Sequence, residues 1–155
     1  MASTITSGTL TVKLTEKIVL DGSNLGSEST LSITGISNVS KRIVTITTTE
    51  ATLLTFSSAV GQGKYIAANV RYLRFKNLDD TNFIVLTFKD ENNTEFKVKV
   101  DAGQSYIYNA DASGGLVDTM KASGSALASG LDDLFDVTAD ADTASCALEI
   151  FIASV

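Results

Sequence analysis

Apolar and polar residues alternate with period two along much of the chain, most clearly between residues 70 and 109. Segments 70–76, 83–89, 94–100 and 104–108 read as four strands. Asn77-Leu-Asp-Asp-Thr-Asn82, Asp90-Glu-Asn-Asn93 and Asp101-Ala-Gly103 separate them, because Asn, Asp and Gly accept turn conformations. Taken locally, the block is an antiparallel meander. Upstream, 9–14 puts Leu10, Val12 and Leu14 on one face and Thr9, Thr11 and Lys13 on the other. Residues 18–20 continue extended before a turn or loop over 21–26. Further strands are expected at 30–34, 42–48, 51–56 and 146–152, the last with Cys146, Leu148, Ile150 and Ile152 on one face. Ser and Thr supply 23 of the first 60 residues, which suits half-exposed strands, where branched side chains lose little freedom.

The pattern changes over 110–145, where small residues collect in Asp111-Ala-Ser-Gly-Gly115 and in 121–130. This segment reads as a long loop or contact arm. Leu127, Leu131, Leu134 and Phe135 carry helical spacing, enough for one or two turns weakened by Gly130. The sum is nine or ten short strands, at most one short helix and no proline. That pattern predicts an all-β fold, a two-sheet antiparallel β-sandwich of jelly-roll-like form. One domain is expected over 1–155, with 1–8 as an N-terminal arm and 110–145 as the contact loop. Long loops in compact domains are usually functional or interfacial.

Composition changes the picture mainly by exclusion. A chain of 155 residues with 44% hydrophobic content can bury about 70% of its unfolded surface without staples. No apolar run approaches the ~18 residues of a membrane span. The opening Met-Ala-Ser-Thr-Ile-Thr-Ser-Gly lacks a basic stretch followed by an apolar core, so no secretory signal is expected and synthesis in a cytoplasm is. The absence of histidine removes the commonest general base, the commonest transition-metal ligand and the Ser-His and Cys-His couples. Charge is uneven: residues 1–100 carry a net +2 and residues 101–155 a net −8. An acidic C-terminal third repels phosphates, so no nucleic-acid partner is expected. A basic face on one subunit meeting an acidic face on its neighbour is one use of such polarity, a solvated acidic surface the other.

Candidate chemistry is sparse. Cys146 lies among apolar residues and reads as a small buried hydrophobe. Asp132, Asp133, Asp136, Asp140 and Asp142 form the densest carboxylate cluster. Calcium takes such oxygens, but the spacing of a helix–loop–helix calcium site is missing, and capping and solvation account for the cluster. Asp79 and Asp80 fit turn chemistry. Gly61-Gln-Gly-Lys64 departs from a phosphate-binding loop at Ser58 and Tyr65. Tyr65, Tyr72, Tyr106 and Tyr108 with Phe75, Phe83, Phe88 and Phe96 invite a sugar-binding platform, although most fall on strands whose default is core packing. Arg71, Arg74 and Lys76 interleave with Tyr72 and Phe75 as a single-strand nucleic-acid sheet would. No catalytic residue, cofactor or metal ligand set is assigned, and an enzyme is not expected.

Residues 70–82 (Val-Arg-Tyr-Leu-Arg-Phe-Lys-Asn-Leu-Asp-Asp-Thr-Asn), 96–105 (Phe-Lys-Val-Lys-Val-Asp-Ala-Gly-Gln-Ser) and the closing 139–153 resemble small virion proteins of tailed phages, marine and cyanobacterial ones in particular. The resemblance implies a β-sandwich structural subunit of the particle and leaves head, neck or tail open. It sets the expectation of a capsid decoration or cement protein in the virion, a homo-oligomer with a trimer favoured. Its partners would be the major capsid protein or other virion proteins, reached through 110–145 and the Ser/Thr-rich N-terminus. The alternatives are a tail, neck or fibre component and a small carbohydrate-binding module.

Overall fold

A computed structural model of the chain describes residues 4–110 and 114–155. In chain order the strands are β1 (Gly8–Thr15), β2 (Val19–Leu20), β3 (Ser23–Asn24), β4 (Glu28–Ile36), β5 (Asn38–Ile46), β6 (Ala51–Ser57), β7 (Tyr65–Ile66), β8 (Val70–Asn77), β9 (Ile84–Asp90), β10 (Glu95–Val100), β11 (Ser105–Ala110), β12 (Leu134–Ala141) and β13 (Cys146–Ser154). Two three-residue 3-10 turns, Ala67–Asn69 and Leu127–Ser129, are the helical content of the described residues.

The pairings nest. β5 pairs with β13, β6 with β12, β8 with β11 and β9 with β10, all antiparallel. Setting β7 aside, the first strand of this run therefore meets the last, the second meets the last but one, and so inward. Such a ribbon winds on itself when β13 also pairs with β8 and β12 with β9. The result is two sheets, ordered β11-β8-β13-β5 and β10-β9-β12-β6, with short β7 added in parallel to the β6 edge. This is the all-β sandwich the alternation predicts, and its strand order is that of an eight-stranded jelly roll.

The core fills the space between the sheets with the inward halves of each strand. Leu73 and Phe75 of β8 and Leu148 and Ile150 of β13 face Leu54 and Phe56 of β6, Ile84, Leu86 and Phe88 of β9 and Val137 of β12, and all are essentially inaccessible. Phe88 organises one end. Its ring stacks on Phe96 at 5.0 Å and on Tyr108 at 4.8 Å and meets Phe75 edge-on at 5.8 Å.

Asn77, read from sequence as turn punctuation, is wholly buried where β8 leaves its sheet. Its Nδ2 donates to the carbonyls of Asn82 (2.8 Å) and Val100 (3.2 Å), and its Oδ1 accepts from Asp79 N–H at 3.0 Å. One amide thus ties the β8–β9 crossing to the end of β10.

Two expectations need correction. The 70–109 block is not a meander: β8 and β9 lie in opposite sheets, as do β10 and β11, so only β9 and β10 form a hairpin. The loop assigned to 110–145 also contains a strand. Leu134–Ala141 is β12, hydrogen-bonded between β9 and β6. The helical spacing at 127–135 gives only the 3-10 turn at Leu127–Ser129, followed by Gly130 at φ 81°. Residues 111–113 of that segment, and 1–3 of the expected N-terminal arm, lie outside the described residues; residues 4–7 are exposed and carry no regular structure.

Candidate contact surfaces

The N-terminal region builds one long hairpin, from Gly8 through an Asp21-Gly22 turn and back to Ile36. Asp21 (φ 49°) and Gly22 (φ 75°) take the left-handed conformations that a two-residue loop matched to strand twist demands. Glu16 N–H to Ser27 O (2.8 Å) and Leu25 N–H to Ile18 O (3.0 Å) carry the ladder between β1–β4 and β2–β3.

The base of this arm is anchored. Leu10, Val12, Ile33 and Ile36 pack on Tyr72, Phe151 and Ala153 of the outer face of the β11-β8-β13-β5 sheet. The outer half is not. Every residue from Lys13 to Glu28 is exposed except half-buried Gly26, and Leu14, Ile18, Val19, Leu20 and Leu25 are each more than half accessible. Period-two alternation finds the strands, but nothing local marks where the apolar face runs past the body that covers it.

The sheet face under the arm base is only partly covered. Beyond Phe151 the register aligns Ile107, Arg74, Phe151 and Lys41 in one row and Ser105, Lys76, Glu149 and Ile43 in the next. Glu149 receives Arg74 Nη2 at 2.6 Å and Lys41 Nζ at 3.4 Å, and the Arg74 hydrogen bond, opposed by burial and aided by Lys41, holds its carboxyl below the usual range. Ile43 (63% accessible) and Ile107 (46%) stand on either side of this network. Of the basic and aromatic residues that interleave over 71–76, Tyr72, Arg74 and Lys76 share this outer face. Phe75 points into the core, and Arg71 turns to the Ala68 carbonyl.

The opposite outer face, on β10-β9-β12-β6, pairs most of its charges internally, while Thr87 Oγ1, Asp136 Oδ1 and Asp140 Oδ1 are buried there without a hydrogen-bond partner. Lys97 pairs with Glu50 and Lys89 with Glu95, and the Thr138 hydroxyl donates to Glu50. The Thr138 bond leads the causes that depress the Glu50 pKa. Asp136 on the same face is pushed up chiefly by burial, against the pull of Lys89.

The five candidate aspartates are dispersed. Asp132 pairs with Met120 through the backbone and faces Lys121 (3.5 Å), and Asp133 accepts Asp118 N–H. Asp136 and Asp140 lie along β12, and Asp142 follows it. Among the described residues no three acidic or thiol side chains are placed to hold a metal. Asp79 accepts Thr81 and Asn82 N–H groups, which lower its pKa, while Asp80 takes the Thr81 hydroxyl, so the pair serves the turn. Cys146 is buried, and burial raises its pKa ahead of Asp79 and Asp142. The aromatic group is mainly core, with Phe96 at 38% accessibility its most open ring in the Phe88 stack.

Residues 114–133 close one end of the sandwich. Leu116 and Met120 are buried pins, held by Leu116 N–H to Ala67 O (2.9 Å) and by Met120 pairing with Asp132. Between Met120 and its partner Asp132, 123–131 is an exposed excursion with Leu127 75% accessible. A hollow of about 560 Å³ opens near Ile5, Asn38, Lys64, Tyr65 and Asn69, and none of its described lining residues is Asp or Glu. No protein-family model matches the chain, and no curated protein and no solved structure matches it.

Proposed function

We propose that this chain is a non-enzymatic structural protein of a phage particle, a decoration or cement protein that stabilises the head shell. The observation that carries the reading is the projecting hairpin, whose outer half displays five accessible aliphatic side chains and rests on nothing in its own described chain. A two-stranded ribbon is marginal in water by itself, and a concentrated apolar surface marks a contact site.

Jelly rolls serve capsids, lectins and cupins alike, so architecture alone does not choose among them. The resemblance of 70–82, 96–105 and 139–153 to phage virion proteins favours assembly. A cement protein works through many modest contacts presented on a stiff scaffold. Here the sandwich is the scaffold. The arm, the 123–131 excursion and residues 4–7 are the exposed segments that make the contacts.

The test is the copy number of this protein in gradient-purified particles of its phage, by quantitative mass spectrometry against the major capsid protein. Abundance comparable to the capsid protein is expected. A small fixed number would move it to the neck or tail. Absence from particles would overturn the reading and bring forward glycan binding through Tyr106 and Tyr108.

A further inference from the structure

The outer half of the arm and the uncovered half of the sheet face are different surfaces of one chain, and they match. We infer that residues 13–28 of one copy dock on the outer face of the β11-β8-β13-β5 sheet of a second copy, head to tail. This inference stands on the arm and the sheet face alone, wherever the assembly acts.

Three features select a second copy as the occupant. The first is continuity. The arm base already packs its apolar side on Tyr72, Phe151 and Ala153 of its own sheet. Ile107 and Ile43 extend the same face beyond Phe151, so a neighbour's arm would continue an interface the chain already makes.

The second is charge. Lys13 and Glu28 pair within the arm at 3.4 Å, which leaves Glu16, Lys17 and Asp21 at a net −1. The acceptor carries Lys41, Arg74 and Lys76 against Glu149, a net +2. Opposite signs favour the encounter and disfavour arm-to-arm or face-to-face pairing.

The third is size. The aliphatic side chains of the outer arm offer on the order of 500 Å² of apolar surface. With backbone and hydroxyls the arm approaches the ~800 Å² per partner of a standard interface. About eight residues of overhang at ~3.3 Å each reach across a sheet of four strands spaced ~4.8 Å.

Donor and acceptor differ, so the contact is heterologous, and repeated copies close into a ring or run on as a filament. The Arg74–Glu149–Lys41 network lies at the centre of the contact, with the isoleucines beside it.

Sedimentation velocity and native mass spectrometry of the full chain test this. The expected result is a defined oligomer at micromolar concentration. Val19→Asp with Leu20→Asp on the arm, and separately Ile43→Asp on the face, are each expected to give monomers with unchanged circular dichroism and thermal midpoint. A chain whose residues 16–27 are replaced by Asn-Gly shortens the arm and provides an independent arm-deficient form. Mixing either arm-deficient form with Ile43→Asp restores one junction per pair, so a 1:1 dimer is expected and no larger species. A monomeric wild type would overturn the inference. An oligomer indifferent to Ile43→Asp, or a mixture that stays monomeric, would also overturn it by pointing to another or a symmetric interface.

Discussion

Replacing Asn77 by Ala tests whether one buried amide holds the two sheets in their crossing pattern. The side chain has no accessible surface and makes three hydrogen bonds, to Asn82 O, to Val100 O and from Asp79 N. Each is worth about 1 kcal/mol net, and a buried group stranded without a partner costs roughly 1–3 kcal/mol. Asn82 and Asp79 are partly accessible and regain water; Val100, at 2% accessibility, does not. The expected loss is therefore about 3–4 kcal/mol, a large share of the ~5–15 kcal/mol that typically holds a domain together. Urea unfolding followed by far-UV circular dichroism measures it, with an unchanged m-value required for the comparison. Asn77→Asp sharpens the test, because its second oxygen would face two carbonyls in place of the NH₂ group. The buried acid then has a raised pKa. Its cost should be smaller at pH 4, where the protonated form can donate one bond, and grow as pH rises toward 7. A loss below about 1 kcal/mol for Asn77→Ala, or an Asn77→Asp cost that ignores pH, would refute the role.

Two further outcomes follow from the geometry. Gly115 (φ 69°) has Ala67 O and Ala68 O at 2.6 and 2.7 Å from where a Cβ would sit, whereas Gly103 (φ 73°) has nothing within 4 Å. Gly115→Ala should then cost about 3 kcal/mol or more against about 1 kcal/mol for Gly103→Ala, and equal denaturation midpoints would contradict the close approach. Arg74→Met should lower stability at pH 7 by about 1–2 kcal/mol, the worth of a half-buried charged hydrogen bond with Lys41 left as second partner. Because the Glu149 pKa is depressed below 4.5, its contribution is present above that value and lost as pH falls through the folded pKa. The wild-type and Arg74→Met stability curves should therefore converge below about pH 4.5, and parallel curves would remove Glu149 from the account.

Strand positions were legible because half-buried strands alternate, and β8 through β11 fall within two residues of the sequence reading. Pairing was not legible. Residues 91–94 turn a hairpin, while 101–104, a linker of equal length that also carries turn-forming residues, crosses between sheets. The difference lies in what each linker meets in space, above all the Asn77 amide and Val100 O, and no local preference encodes it. β12 escaped for another reason. A register shift between Leu134 and Asp136 breaks its period, and Asp136 and Asp140 occupy outward positions where Asp is uncommon in strands. Tertiary burial of Val137, Ala139 and Ala141 outweighs that preference. For the contact surfaces, Leu14, Ile18, Val19 and Leu20 were read as strand residues; their exposure depends on where the sandwich ends beneath them.

The treatment of strand edges separates the sandwich from its arm. β10 lines its edge with Glu95, Lys97 and Lys99, β5 carries Lys41 and Arg42, and β11 is bulged and held by the 114–120 segment through Asn109 and Tyr108. Charge, bulges and cover are the usual devices against edge-to-edge association. The arm uses almost none of them. β1 is Gly-Thr-Leu-Thr-Val-Lys-Leu-Thr, its single charge spent on Glu28 across the ribbon, and among the described residues its outer edge has no partner strand. Guarded edges on the body beside open edges on a long ribbon support the proposal that association runs through the ribbon. On that ground the arm, more than any hollow or carboxylate, is where function is to be sought.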